Sequence, residues 1–325
     1  MKLAHVAIVT PQKCGLYETV QNTVAAIRAL GHDSRIYDPR ETDKQVYHPG
    51  GTEDRGAVFA DRAFLESADV IIDHSGCDGA TDKLNTPHIL VAHGRPRHSF
   101  NSERDNGPPI YSYHYRLNRT AKYKAVVTYW PEHILHHKVM FPSKRVCCVP
   151  SCVDLKAWSD KGARDYSFGG KKGAYNAVLT DAWRDDVDPF EALNAAILAA
   201  RELPGLRIHV YGKPADAVKG WGALLNQAKD DGALGEVCGW IKGLDNVYRA
   251  ADVLVTPNVI ATRAVREAMA CGCPVARATG EELAIKQILW KIIHSHRTEI
   301  RCEAQRLYDP MNTAKAFVAI AESCL

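Results

Sequence analysis

The sequence predicts an α/β fold built as two doubly wound domains. Three observations carry that prediction. Short apolar runs alternate with amphipathic stretches along the whole chain, a stretch rich in Asp, Lys, Gly and Ser breaks the series near its middle, and 325 residues exceed one comfortable core. Hydrophobic residues at 46% and charged residues at 24% are ordinary for a globular protein, so no large part reads as disordered.

The first strand is expected over residues 3–10. Its apolar stretch is short and broken by His5, and no small-residue cleavage site follows, so it reads as a buried strand and not as a signal peptide. A helix follows over 17–30, where Leu16, Val20, Val24, Ile27 and Leu30 share one face. Gly31 suits the position just past a helix end. A strand over 34–37 completes a βαβ unit. The runs 69–73, 88–92 and 125–129 are almost continuously apolar, as expected of parallel strands covered on both faces. A further strand over 145–150 ends in Pro150.

Residues 159–173, ending in Gly169-Gly170-Lys171-Lys172-Gly173, read as the linker. A second series follows, with strands over 176–180, 206–211, 235–240, 252–256 and 274–277 and helices over 189–201 and 263–270. From 281 the chain reads as mostly helical. The expected domains are 1–165 and 166–325, two Rossmann-like halves facing across a cleft, with the last helix free to pack back on the first. In such folds ligands sit beyond the carboxyl ends of the strands.

Composition excludes several classes. No apolar run approaches the roughly 20 residues of a membrane-spanning helix. A net charge of +3 is modest beside that of most nucleic-acid binders, so only local charge can inform. The ten cysteines lack paired C-x-x-C units, and Cys271-Gly272-Cys273 falls between a helix and a strand. They read as reduced, structural thiols, without a metal, in a cytoplasmic protein.

Three stretches resemble one family. Residues 145–154 end in Pro150-Ser151-Cys152-Val153-Asp154, where the family strand ends in Pro-Asn-Gly-Val-Asp. Tyr248-Arg249-Ala250-Ala251-Asp252 leads into a strand that ends in Pro257. Glu267-Ala268-Met269-Ala270-Cys271-Gly272-Cys273-Pro274-Val275 follows the pattern Glu-Ala-Met-Ala-x-Gly-x-Pro-Val. These stretches resemble the retaining GT-B glycosyltransferases, the group 1, sucrose-synthase-like family. The resemblance implies a retaining, metal-independent transfer from a nucleotide sugar, UDP-linked, as co-substrate and with no cofactor.

Residue by residue, the resemblance implies that Glu267 binds the ribose hydroxyls of the donor, since a carboxylate accepts two hydrogen bonds from a diol. The family's earlier glutamate, separated from this one by seven intervening residues, is replaced here by Val259. The donor pyrophosphate calls for positive charge. Arg184 is the candidate for the arginine of the family's Arg–Lys pair, Asp188 stands near the missing lysine, and Lys213 or Arg263 is the candidate replacement. Gly15 opens the first helix, where a small residue lets backbone approach phosphate or acceptor. His93 follows the apolar run 89–92, at the end of a strand, and by resemblance orients the transferred sugar.

Between Gly94 and Lys124 stand seven Lys or Arg against two acids, with four tyrosines among them. Basic groups neutralise phosphates and aromatics stack on bases. Arg95, Arg97, Arg116, Arg119 and Lys122 therefore suggest an acceptor in DNA, a hydroxymethylated pyrimidine presented out of the stack. Some phage enzymes do this with GT-B folds, and the short chain with its worn motifs resembles them, which would place it in a host cytoplasm. A lipid-linked or polysaccharide acceptor and a non-catalytic nucleotide-sugar-binding or partner-binding protein are the alternatives.

Overall fold

The computed structural model describes residues 1–7, 15–39, 58–74, 81, 83–93, 120–180, 189–212, 220–239, 241–278 and 280–325. The chain forms two compact units, Met1–Val153 with Tyr308–Leu325, and Asp154–Leu307.

The first unit holds a parallel sheet of β1 (Lys2–Val6), β2 (Asp33–Tyr37), β3 (Val70–His74), β4 (His88–Ala92), β5 (Tyr123–Thr128) and β6 (Arg145–Cys148), in the order β2-β1-β3-β4-β5-β6. Its helices are α1 (Gly15–Ala29), α2 (Arg62–Glu66), α3 (Ile134–Met140) and the C-terminal α10 (Pro310–Glu322). The end of α1 is set by Gly31 at φ 88°. Its N–H donates to the Arg28 carbonyl (2.9 Å) and that of His32 to Ile27 (3.4 Å), the paired closure that a left-handed glycine permits. The start of α10 is set by Pro310 and by Asp309, whose carboxylate accepts the Met311 N–H at 2.8 Å.

Strand alternation sorts the side chains of this sheet. Leu3, Val70, Ile72, Ile89, Val91, Ala125 and Val127 share one face, closed by Ile27 of α1 and by Ala314, Phe317 and Ala321 of α10. Their neighbours Ala4, Val6 and Ile71, and separately Leu90 and Val126, form clusters on the opposite face.

The second unit repeats the plan with β7 (Tyr175–Leu179), α4 (Pro189–Glu202), β8 (Leu206–Tyr211), α5 (Trp221–Asp230), β9 (Leu234–Cys238), α6 (Leu244–Ala250), β10 (Val253–Thr256), α7 (Arg263–Ala270) and β11 (Val275–Arg277). Two further helices follow, α8 (Glu281–His294) and α9 (Arg297–Tyr308). Its five parallel strands run in the order β11-β10-β7-β8-β9. Helices α5 and α6 are additional to the elements read from sequence. Each follows a glycine in the left-handed region, Gly220 at φ 89° and Gly243 at φ 79°.

Residues 159–173 are not a linker but part of the second unit. Phe168 is fully buried, packs against Val178 and Tyr248, and stacks on His209 with ring centroids 4.1 Å apart. Gly and Lys gave this stretch its hydrophilic composition, but Trp158, Tyr166 and Phe168 supply enough apolar surface to anchor it. The units accordingly divide after Val153, earlier than the 165/166 boundary expected from composition. Two arginines fasten residues 154–160 to the second unit. Arg249 donates to the Ser159 carbonyl at 3.0 Å, and Arg301 donates to those of Leu155 and Trp158, each at 2.9 Å.

Among the described residues no helix is long and apolar enough to cross a membrane. Cys271 and Cys273 are buried, and burial pushes both thiols up to about 12, so they pack as neutral side chains.

Candidate functional site

Doubly wound sheets offer a ligand position where the strand order reverses. In the first unit that point lies between β1 and β3, and in the second between β7 and β10. Each holds a candidate from the sequence.

In the first unit, alternation along each strand ends in a polar ring. His5 continues the face of Leu3, His74 that of Val70 and Ile72, His93 that of Ile89 and Val91, and Tyr129 that of Ala125 and Val127. The register steps the histidines diagonally across the sheet: His5 pairs with Ile72 and His74 with Val91, so each ring reaches the next one two residues further along the neighbouring strand. His5 Nδ1 lies 3.0 Å from His74 Nε2, and His74 Nδ1 lies 2.8 Å from His93 Nε2. His93, partly buried, meets the Tyr129 ring edge-on, with centroids 5.1 Å apart. His5 and His74 are fully buried, and desolvation is the first cause that lowers both, His5 to about 3. They are neutral at physiological pH.

In the second unit, Glu267 lies on α7, directly after β10, and is buried. Its Oε1 accepts a hydrogen bond from Arg263 Nε at 2.5 Å, one helical turn earlier. The two side chains proposed separately for ribose and phosphate thus form one ion pair. Arg266 turns the other way and donates to the Ala261 carbonyl at 3.0 Å. Val259, at the position of the family's earlier glutamate, is 47% exposed, and its carbonyl accepts from the Arg277 guanidinium. At the neighbouring strand end, Thr180 Oγ1 is 2.7 Å from the Tyr248 hydroxyl, and Asn258 donates its backbone N–H to Thr256 Oγ1 at 3.1 Å.

Gly15 is the first residue of α1. Arg184 and Lys213 lie outside the described residues, as do Asp188, Arg95, Arg97, Arg116 and Arg119. Lys122 is described and donates Nζ to the Thr81 carbonyl at 3.0 Å. Tyr123, counted with the surface aromatics, is instead a buried residue of β5 whose hydroxyl donates to Asp73 at 3.2 Å. It packs with Leu90, Val126 and Phe141, so it has no free face for a base.

His5 and His74 were not singled out from sequence, although a signal existed. Each continues an apolar face of its strand as His93 does, which marks all three as rings on one side of the sheet; their contact is set by strand order and register.

No family model matches the chain. Among curated proteins it is similar to the D-inositol 3-phosphate glycosyltransferase of Mycobacteroides abscessus, 29% identical over 167 residues, which is 48% of this chain and 37% of that protein. The matched part thus spans little more than a third of that relative's length. Among solved structures, the sucrose-phosphate synthase of Thermosynechococcus elongatus is similar with a TM-score of 0.70 and 13% identity, over 99% of this chain and 98% of that one. Anabaena Alr3699/HepE in complex with UDP gives 0.69 and 12%, over 99% and 100%. An E. coli protein described as trehalose-6-phosphate bound with UDP-2-fluoro glucose gives 0.68 and 10%, over 99% of each chain. At such identities these likenesses show the fold, two parallel-sheet α/β domains of the GT-B kind.

Proposed function

We propose that this chain is a glycosyltransferase that moves a sugar from a nucleotide-sugar donor to a hydroxyl acceptor. One observation carries the reading. Glu267, within the Glu-Ala-Met-Ala-x-Gly-x-Pro-Val pattern, is a buried carboxylate on the helix that follows a switch-point strand. A ribose diol suits such a carboxylate, because both hydroxyls donate to it. The similarity to an inositol phosphate glycosyltransferase and to structures holding UDP supports a UDP-sugar as donor.

In the transfer, the acceptor oxygen bonds to the anomeric carbon while the bond from that carbon to the phosphate oxygen breaks. The nucleoside diphosphate leaves with the electron pair, and the acceptor proton passes to a donor phosphate oxygen. This front-face course retains configuration and needs neither an enzyme nucleophile nor a metal. Arg184 and Lys213 would meet the developing phosphate charge. Arg263 holds Glu267 in place, and His93 would orient the sugar.

For the acceptor, the basic and aromatic composition of residues 94–124 favours a hydroxymethylated pyrimidine in DNA. Lys122 and Tyr123 are engaged inside the first unit, so this reading rests on the arginines before them. The test is incubation with hydroxymethylcytosine- and hydroxymethyluracil-containing DNA and a pool of nucleotide sugars, followed by mass spectrometry of the nucleosides. A hexose- or pentose-sized gain on the modified base is the expected result. Nucleotide release without that gain would move the acceptor to a lipid-linked or polysaccharide hydroxyl. With neither, the chain is a non-catalytic nucleotide-sugar-binding protein.

A further inference from the structure

We infer that His5 and His74 are positioning residues that fix the tautomer of His93, so that His93 presents Nδ1–H as a hydrogen-bond donor. The purpose of that donor, a hydroxyl or ring oxygen of the transferred sugar, rests on the glycosyltransferase reading above.

The argument is a count of protons along the row. A neutral imidazole has one N–H and one bare nitrogen, and each contact in the row needs one of each. The contacts His5 Nδ1 to His74 Nε2 and His74 Nδ1 to His93 Nε2 therefore admit only two arrangements, with every proton pointing toward His93 or every proton pointing away. Burial keeps His5 and His74 neutral, which removes arrangements with an extra proton on either ring.

The far end decides between the two. His5 Nε2 is buried beside the Phe317 ring and has no hydrogen-bond partner among the described residues. If the protons point away from His93, His5 must carry its hydrogen on Nε2, where it is a buried donor without an acceptor. If they point toward His93, that nitrogen is a bare lone pair. Orphaned donors are rarer in folded proteins than under-used acceptors. The row therefore runs His5 Nδ1–H to His74 Nε2, then His74 Nδ1–H to His93 Nε2, and the remaining hydrogen of His93 sits on Nδ1.

The test is the histidine side-chain 15N spectrum of the intact chain at pH 8, with His93 assigned by the signals lost in His93→Asn. The expected result is a bare Nε2 and a protonated Nδ1 on His93. In His74→Phe, which keeps a ring but no donor, His93 should lose that single tautomer. In His74→Asn, whose amide keeps a donor near the position of Nδ1, it should retain it. A wild-type His93 protonated on Nε2, or an unchanged tautomer in folded His74→Phe, would overturn the inference. If His74→Phe does not fold, His5→Phe provides the same comparison one ring further back. In turnover, His74→Phe should lower kcat about tenfold or more at a similar donor KM, with His74→Asn within about threefold of wild type. A wild-type spectrum as expected together with no turnover of any donor would sink the glycosyltransferase reading and leave the positioning row standing.

Discussion

The Arg263 guanidinium and the Glu267 carboxylate meet at 2.5 Å, one turn apart on α7, with the carboxylate buried and the arginine partly exposed. The pair fixes the Glu267 carboxylate in place. Glu267→Gln keeps the shape and removes the charge that favours a diol donor. Donor KM, or the Kd for UDP by calorimetry, should rise about tenfold, the equivalent of one lost charge-assisted hydrogen bond at about 1.4 kcal/mol, with kcat much less affected. An unchanged UDP affinity would exclude Glu267 from the nucleotide site.

Arg263→Ala should act on stability as well as on binding. It removes the Arg263 charge from beside a buried carboxylate, at a cost of about 1–3 kcal/mol. Arg263→Lys should recover part of that loss, since an ammonium restores the charge but not the fixed geometry of the guanidinium. Thermal unfolding of the three proteins side by side makes the comparison.

Gly235 is required by packing. A Cβ there would lie 2.3 Å from Nδ1 of His209 and 2.4 Å from its Cε1, inside a ring that cannot move. His209 is held on both sides, accepting the Glu236 N–H at Nδ1 (3.0 Å) and donating from Nε2 to Asn176 Oδ1 (3.1 Å). Gly235→Ala should therefore destabilise the protein by about 2 kcal/mol or more, read as a lower urea midpoint.

Acid should weaken the fold through the buried histidines. His5 and His209 are each held down to about 3, mainly by desolvation, against 6.5 when exposed. The unfolded chain therefore binds protons that the folded chain refuses. The stability is complete above pH 6.5 and is lost as pH falls from 6.5 toward 3, at up to about 1.4 kcal/mol per pH unit for each histidine. Urea midpoints at pH 7.5, 6 and 5 should decline with that slope, and His209→Gln should make the decline shallower.

Phe168 holds a left-handed backbone, φ 50°, that a bulky residue rarely adopts. Burial against His209 offsets that strain. Phe168→Ala should cost about 3–5 kcal/mol and open residues 154–173 to limited proteolysis, whereas a true linker would be cut equally well in both proteins.

Alternation and length were enough to read both sheets, because parallel strands covered on two faces leave a strong apolar signal. The α7 ion pair was also legible, since Arg263 and Glu267 stand four apart on a helix the pattern predicts. The histidine row was harder to see. Apolar periodicity marks which side chains are buried, but contact between His5, His74 and His93 depends on the register of three strands far apart in sequence. The 159–173 stretch misled because its glycines and lysines dominate the composition, while three aromatic rings decide its packing.

Arg301 gives the second unit a property that no single element has. Besides the carbonyls of Leu155 and Trp158, its guanidinium caps the Ala270 carbonyl at 2.5 Å, the last residue of the helix that bears Glu267. One side chain thus ties the incoming chain and the end of α7 to the same anchor. These two pieces cannot loosen in sequence. They should exchange their amide hydrogens as one cooperative block, and a disturbance at residues 155–158 should be felt at the carboxylate proposed to grip the donor.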